Sequence, residues 1–233
     1  MNKMITVSGA AAVGKTVLLL GLLPYLKMHG IAPCVCKMDC LQSSDQQLFE
    51  SLGIPCVTGL SQDICPDHFL VSNLPELWSW ARKIQADCLF IESAGLCHRC
   101  SPATEKGIAL CVLDCTTSNK APARLGPMLT QADGIIITKI DMVSQAEREI
   151  LAYHIGLLNP HAKLFFVDGK EGYGIEHVAN WLVSLPPVES YDSDCLRHPM
   201  PSGVCSYCVG EQRIGSDFQL GVVGKIVFPE DAR

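Results

Sequence analysis

Two short strings of this sequence combine residue types and spacings suited to chemistry. GAAAVGKT, residues 9 to 16, places Gly9 and Gly14 around four small or apolar residues and ends in Lys15 and Thr16. Backbone N–H groups of such a loop converge on phosphate oxygens, the lysine ammonium reaches terminal phosphates and the hydroxyl holds Mg2+. Val17 follows at once and belongs to the same predicted nucleotide contact. The second string, IESAGLCHRCSPA over residues 91 to 103, runs a strand-like end into Cys97, His98 and Cys100. Thiolate and imidazole donors at that spacing suit one soft ion: Zn2+, Ni2+ or part of an iron–sulfur cluster.

A third string addresses the base. GIIITKID ends in Thr138, Lys139, Ile140 and Asp141, which looks like the N/T-K-x-D guanine motif of GTPases. An aspartate there pairs with guanine N1 and the exocyclic amine, groups that adenine lacks, so GTP is expected over ATP. VDGKEGYG, containing Gly169, resembles the loop that closes over such a base.

These strings need a scaffold, and the first 185 residues supply one. MITVSG, PCVCKMD, CLFIESAG, ALCVLDC, GIIITKID and KLFFVDG are apolar, β-branched runs separated by longer helix-like segments. That alternation predicts βαβ units: an α/β fold with a mostly parallel central sheet and helices on both faces. The phosphate loop falls between strand and helix, as its chemistry requires; Pro24, farther along that helix, predicts a kink or an early end. Hydrophobic residues make up 48% and charged ones 18%, a balance that suits a sheet covered on both faces. The net charge of −6 comes without a basic stripe, so neither nucleic acid nor a membrane surface is an expected partner. The apolar run VLLLGLLPYL is too short to span a bilayer, and a cytoplasmic location is expected. Thirteen cysteines in a reducing compartment point to metal or redox chemistry rather than a disulfide framework.

With those residues in place, residues 4 to 185 resemble the SIMIBI class of P-loop GTPases, and within it the HypB, UreG and CobW-like metal-insertion group. The segment KMDCLQSSDQQLFESLGIPCV resembles the HypB stretch that carries two aspartates, here Asp39 and Asp45. The resemblance implies that Asp39 lies beside Mg2+ and positions the attacking water; Asp45 fits a helix cap better. ESAG resembles the group's E-x-x-G, which implies that Glu92 acts on Mg2+ with Thr16 and that Gly95 senses the γ-phosphate. It also implies soft-metal ligands at Cys65 and Cys100. His68 is displaced from the family's position, and Cys97 and His98 are substitutes for it. A nucleotide- or metal-dependent homodimer and a client metalloenzyme, or its maturation proteins, follow from the same resemblance.

PPVESYDS begins a predicted linker, residues 186 to 194, and residues 195 to 233 form an irregular tail that HypB and UreG lack. Cys195, Cys205 and Cys208, with His198 nearby, suit a tail metal site whose remaining donors come from Cys195, His198 or the pair Cys97 and Cys100. Cys34 and Cys36 share a strand face; with Cys56, Cys88, Cys111 and Cys115 they read as core. The sequence thus leads to a GTP-hydrolysing accessory protein for assembly of a nickel, zinc or iron–sulfur centre. Its rivals are an ATP-dependent reductive activator or P-loop kinase with an iron–sulfur site, and a metal-storage scaffold stabilised by nucleotide.

Overall fold

The computed structural model describes residues 3–201 and 208–229. Seven strands form one sheet in the order β3-β2-β4-β1-β5-β6-β7, and every pairing is parallel. They are β1 (Lys3–Ser8), β2 (Pro33–Asp39), β3 (Cys56–Leu60), β4 (Cys88–Glu92), β5 (Ile108–Asp114), β6 (Gly134–Thr138) and β7 (Lys163–Phe166). The α/β class and the helices on both faces are as expected. β3 is a strand that the apolar-run reading did not separate out. It is short, sits at the sheet edge and contains Gly59, where a Cβ would lie 2.6 Å from the Met38 sulfur. Such a strand owes its place to tertiary packing, not to propensity.

Because both faces are covered, β1, β4, β5 and β6 are buried at every position and their sequences are nearly continuous apolar runs. One face is packed by α1 (Lys15–Met28), α2 (Asp45–Ser51) and α7 (Ile175–Ser184), which meet Ile5, Val7, Val35, Phe90 and Val112 through Leu18, Leu22, Phe49 and Val178. The other is packed by α3 (Pro66–Lys83) over β2 and β4, and by α4 (Ala121–Arg124), α5 (Pro127–Thr130) and α6 (Gln145–Leu158) over β5 and β6. α1 continues through Pro24 to Met28, so the early end does not occur. Leu22, Leu23 and Leu26 around the proline are all buried, and that burial outweighs the lost hydrogen bond. Cys34 and Cys36 lie under α3, Cys56 and Cys88 face α1, and Cys111 and Cys115 face α6; all are buried.

The chain beyond α7 has no helix or strand of its own among the described residues, yet it is held closely. Tyr191, Leu196, Met200, Cys208, Ile214 and Ile226 join the α3 core, and the Tyr191 hydroxyl accepts the Met4 N–H at 2.8 Å. The Asn73 amide donates to Gly224 O, and its carbonyl accepts the Ile226 N–H. Arg197 forks onto Asp133 at 2.8 and 2.9 Å and donates to three backbone carbonyls. Side-chain hydrogen bonds thus add to the isolated backbone bridges Thr104–Leu196 and Cys195–Arg213 in holding this segment.

Candidate active site

β1 delivers the chain to the phosphate loop at Ser8, and α1 takes it up at Lys15. The turn between them needs its glycines. Gly9 has φ 143, and a Cβ there would lie 2.3 Å from the Val112 carbonyl oxygen. Gly14, at φ 97, is the left-handed residue just ahead of α1. The loop therefore presents its amides and the positive end of a fourteen-residue helix to one point. Lys15 is buried, with its ammonium on Gly9 O at 2.9 Å and Ala10 O at 2.8 Å. Burial lowers its pKa and Glu92 opposes that shift.

Beside the loop, three oxygens converge. Thr16 Oγ1 is 2.8 Å from Glu92 Oε1 and 3.3 Å from Asp45 Oδ2. Glu92 ends β4 at 1% exposure, and its second oxygen, Oε2, is buried with no hydrogen-bond partner. One hydroxyl and two carboxylates, one with an orphaned oxygen, fit a hard divalent cation such as Mg2+. Asp39 is not in this group: its Oδ1 accepts the Cys40 N–H at 2.8 Å. Asp45 is the first residue of α2, one past the N-cap Ser44, and its carboxylate is the one that reaches Thr16. A residue that sequence reasoning missed stands among the three. Lys37 Nζ lies 2.5 Å from Glu92 Oε1, 3.0 Å from Asp45 Oδ2 and 3.2 Å from Thr16 Oγ1. The signal was strand parity, since Lys37 and Asp39 share the β2 face that looks toward α1.

The base motif borders the loop directly. A cavity of about 210 Å³ opens between Gly14 and Val17 on one side and Thr138, Lys139, Asp141 and Gly169 on the other. Thr138 Oγ1 donates to Val13 O at 2.6 Å, and Lys139 donates to Ala12 O at 3.1 Å while pairing with the Asp114 carboxylate. Burial alone would raise the Asp114 pKa, but the Lys139 ammonium and Thr116 outweigh it and hold the carboxyl below its usual range. Asp114, at the end of β5, carries no motif and was not anticipated. Gly169 is required by contact, because a Cβ there would sit 2.8 Å from Val17 Cγ1.

Gly95 closes the remaining side. It has φ +75, and a Cβ would lie 2.2 Å from Gly9 O and 2.7 Å from Lys15 Nζ. The Cys97–Cys100 segment thus starts directly against the phosphate loop. Cys100 is buried, and its thiol is pushed up first by burial, then by Asp67, Cys97, Cys65 and Cys208. Cys65 caps α3 with its thiol pushed by burial to about 11, and buried Asp67 is pushed to about 6. Four thiols and a carboxyl therefore share one neighbourhood, although among the described residues no three such side chains are gathered as an ion site. His98 is half-buried, and its carbonyl faces Gly126. Cys195 bridges to Arg213, while His68 is turned to Leu220 O. Cys205 lies outside the described residues. No helix among the described residues is long and apolar enough to cross a membrane.

Residues 3–166 match the CobW/HypB/UreG nucleotide-binding domain. An uncharacterized protein of Methanocaldococcus jannaschii, MJ0120, is 39% identical over 224 residues, 96% of each chain, so that likeness extends into the tail. The urease accessory protein UreG of Photorhabdus laumondii is 27% identical over 194 residues, 77% of this chain and 91% of its own. Two solved structures share the fold at 20% identity and 78% coverage of this chain. They are hydrogenase maturation factor HypB from Archaeoglobus fulgidus (TM-score 0.64, 89% of that chain) and HypB from Helicobacter pylori in complex with nickel (0.65, 86%). With residues 3–166, more than half of the chain, matched to this domain on a seven-stranded parallel sheet, the chain belongs to the CobW/HypB/UreG family of P-loop GTPases.

Proposed function

We propose that this protein is a Mg2+-dependent GTPase that couples its nucleotide state to the holding of a soft metal, for assembly of a metal centre in a client enzyme. One observation carries the reading. The segment bearing Cys97 and Cys100 leaves Gly95, whose Cα packs against Gly9 O and the Lys15 ammonium. A terminal phosphate taken up by Lys15 and the loop amides meets Gly95 first, so presence or loss of that phosphate biases where the thiols lie. The cargo, Ni2+, Zn2+ or an iron–sulfur cluster, is a substrate of this device, with Cys65, Cys97, Cys100 and His98 as its donors and Cys195, Cys205 and Cys208 as a tail set.

In hydrolysis, Lys15 and the loop amides neutralise charge on the transferring phosphoryl group. Thr16, Glu92 and Asp45 would hold Mg2+, which would supply Lewis-acid polarisation of the phosphate oxygens. Asp39, on the same strand face as Lys37, orients the attacking water. Asp141 reads guanine from the cavity floor beside Gly14, with Thr138, Lys139 and Gly169 shaping the walls. The names of UreG, a urease accessory protein, and HypB, a hydrogenase maturation factor, support delivery to a client metalloenzyme or its maturation proteins. A nucleotide- or metal-dependent homodimer belongs to the same reading.

Anaerobic titration of Ni2+ and Zn2+ into protein loaded with GDP or with a non-hydrolysable GTP analogue tests the coupling. The expected result is a difference in metal affinity of about tenfold or more between the two states. Identical affinities would leave a storage scaffold as the better description.

A further inference from the structure

We propose that Lys37 is a tethered counter-ion that occupies the divalent-cation corner and excludes free metal, so that Mg2+ enters only together with a nucleotide. The inference rests on the Mg2+-nucleotide reading above and adds to it a rule for when the metal binds. An ammonium has three donors, and the Lys37 ammonium has three oxygens within reach: Glu92 Oε1 at 2.5 Å, Asp45 Oδ2 at 3.0 Å and Thr16 Oγ1 at 3.2 Å. These are the oxygens that fit a divalent cation. The Lys37–Glu92 pair is shielded, with side chains 9% and 1% exposed, while the Asp45 side chain is 26% exposed.

Mg2+ approaches oxygen to roughly 2.0–2.1 Å and would occupy the volume the ammonium fills. Two cations at that separation in a shielded corner repel strongly, so one displaces the other. Free Mg2+, which gives up its hydration shell reluctantly, faces two carboxylates already neutralised at close range. A nucleotide changes the balance by adding phosphate charge at the loop, where Lys15 and Lys37 already act on each other electrostatically. The long Lys37 stem lets its ammonium withdraw while staying attached beside the site, ready to return when nucleotide and metal leave.

The test is Mn2+ binding, followed by electron paramagnetic resonance, to the full chain without nucleotide. The wild type is compared with Lys37→Met and Lys37→Gln. Removing the tethered charge is expected to tighten Mn2+ binding by about tenfold or more. Mn2+ should also raise the melting temperature of both variants while leaving the wild type flat, by mass action. Equal Mn2+ affinity in all three proteins overturns the proposal, as does a variant that loses stability without regaining it in Mn2+, since that marks an ordinary buried ion pair. Should neither variant fold, crystals of the nucleotide-free wild type soaked in Mn2+ decide. An anomalous peak beside Thr16 with the Lys37 contacts intact refutes exclusion, and no peak there supports it. A fluorescent GDP titration separates the two readings: failure to bind GDP sinks the nucleotide function, whereas the Mn2+ comparison stands or falls alone.

Discussion

The phosphate corner and the thiol neighbourhood come within five residues of each other in sequence at Glu92 and Cys97, yet they are built on opposite plans. In the corner, β2, β4 and the starts of α1 and α2 bring Thr16, Lys37, Asp45 and Glu92 together by direct polar contacts. Under the start of α3, Cys65, Asp67, Cys97, Cys100 and Cys208 come from separated segments and share a neighbourhood without converging. The corner stands on the buried inner strands of the sheet, whereas the thiols sit on loops and at a helix start. The proposed coupling would join a rigid phosphate corner to a looser thiol neighbourhood.

Several measurements break or sharpen that contrast. Lys15→Ala should have the largest effect, weakening GTP by about a hundredfold or more in calorimetry, because a charge-assisted contact from a buried ammonium disappears; retained affinity would remove the corner from nucleotide binding. Gly95→Ala places a Cβ at φ +75 against Gly9 O, so hydrolysis should fall by about tenfold to a hundredfold while guanine binding in the separate cavity persists. Asp141→Asn should cost about tenfold or more in GTP affinity and leave ATP unchanged, measured by competition, because it removes an acceptor that only guanine uses. Cys100→Ser should weaken Zn2+ or Ni2+ by about tenfold while Cys195→Ser changes it little; equal effects would merge the two cysteine sets. Arg197→Ala should be smallest, lowering stability by about 1–2 kcal/mol in denaturant unfolding with nucleotide affinity unchanged, since the Asp133 pair is partly exposed and its backbone contacts contribute the rest.

The corner was largely legible because its information is local. GAAAVGKT and ESAG each encode a loop whose geometry follows from its own glycines and its place at a strand end, and TKID marks the end of β6, where Lys139 turns at φ 56. What escaped was direction and distance. Asp39 and Asp45 are both aspartates after the second strand, and only the path of the intervening loop shows that Asp45 reaches Thr16 while Asp39 turns to Cys40 N. Lys37 read as an ordinary strand residue because strand parity gives the face a side chain takes, not the carboxylates waiting there. The tail was illegible for a different reason. Its order comes from Asn73, Arg197 and Tyr191 acting over separations of 64 to 187 residues, which leave no period in the sequence.

The double grip of Asn73 on Gly224 and Ile226 has a consequence for synthesis. The outer flank of α3 waits uncovered on the ribosome until some 150 further residues have been made, an interval on the order of ten seconds. During that interval Leu74, Leu77 and Trp78 form a greasy surface open to chaperones and to neighbouring nascent chains. Cover for this flank therefore comes from turns made well after α7, and a stop codon placed just after Ser184 should yield insoluble protein even though every residue of the phosphate corner has been translated.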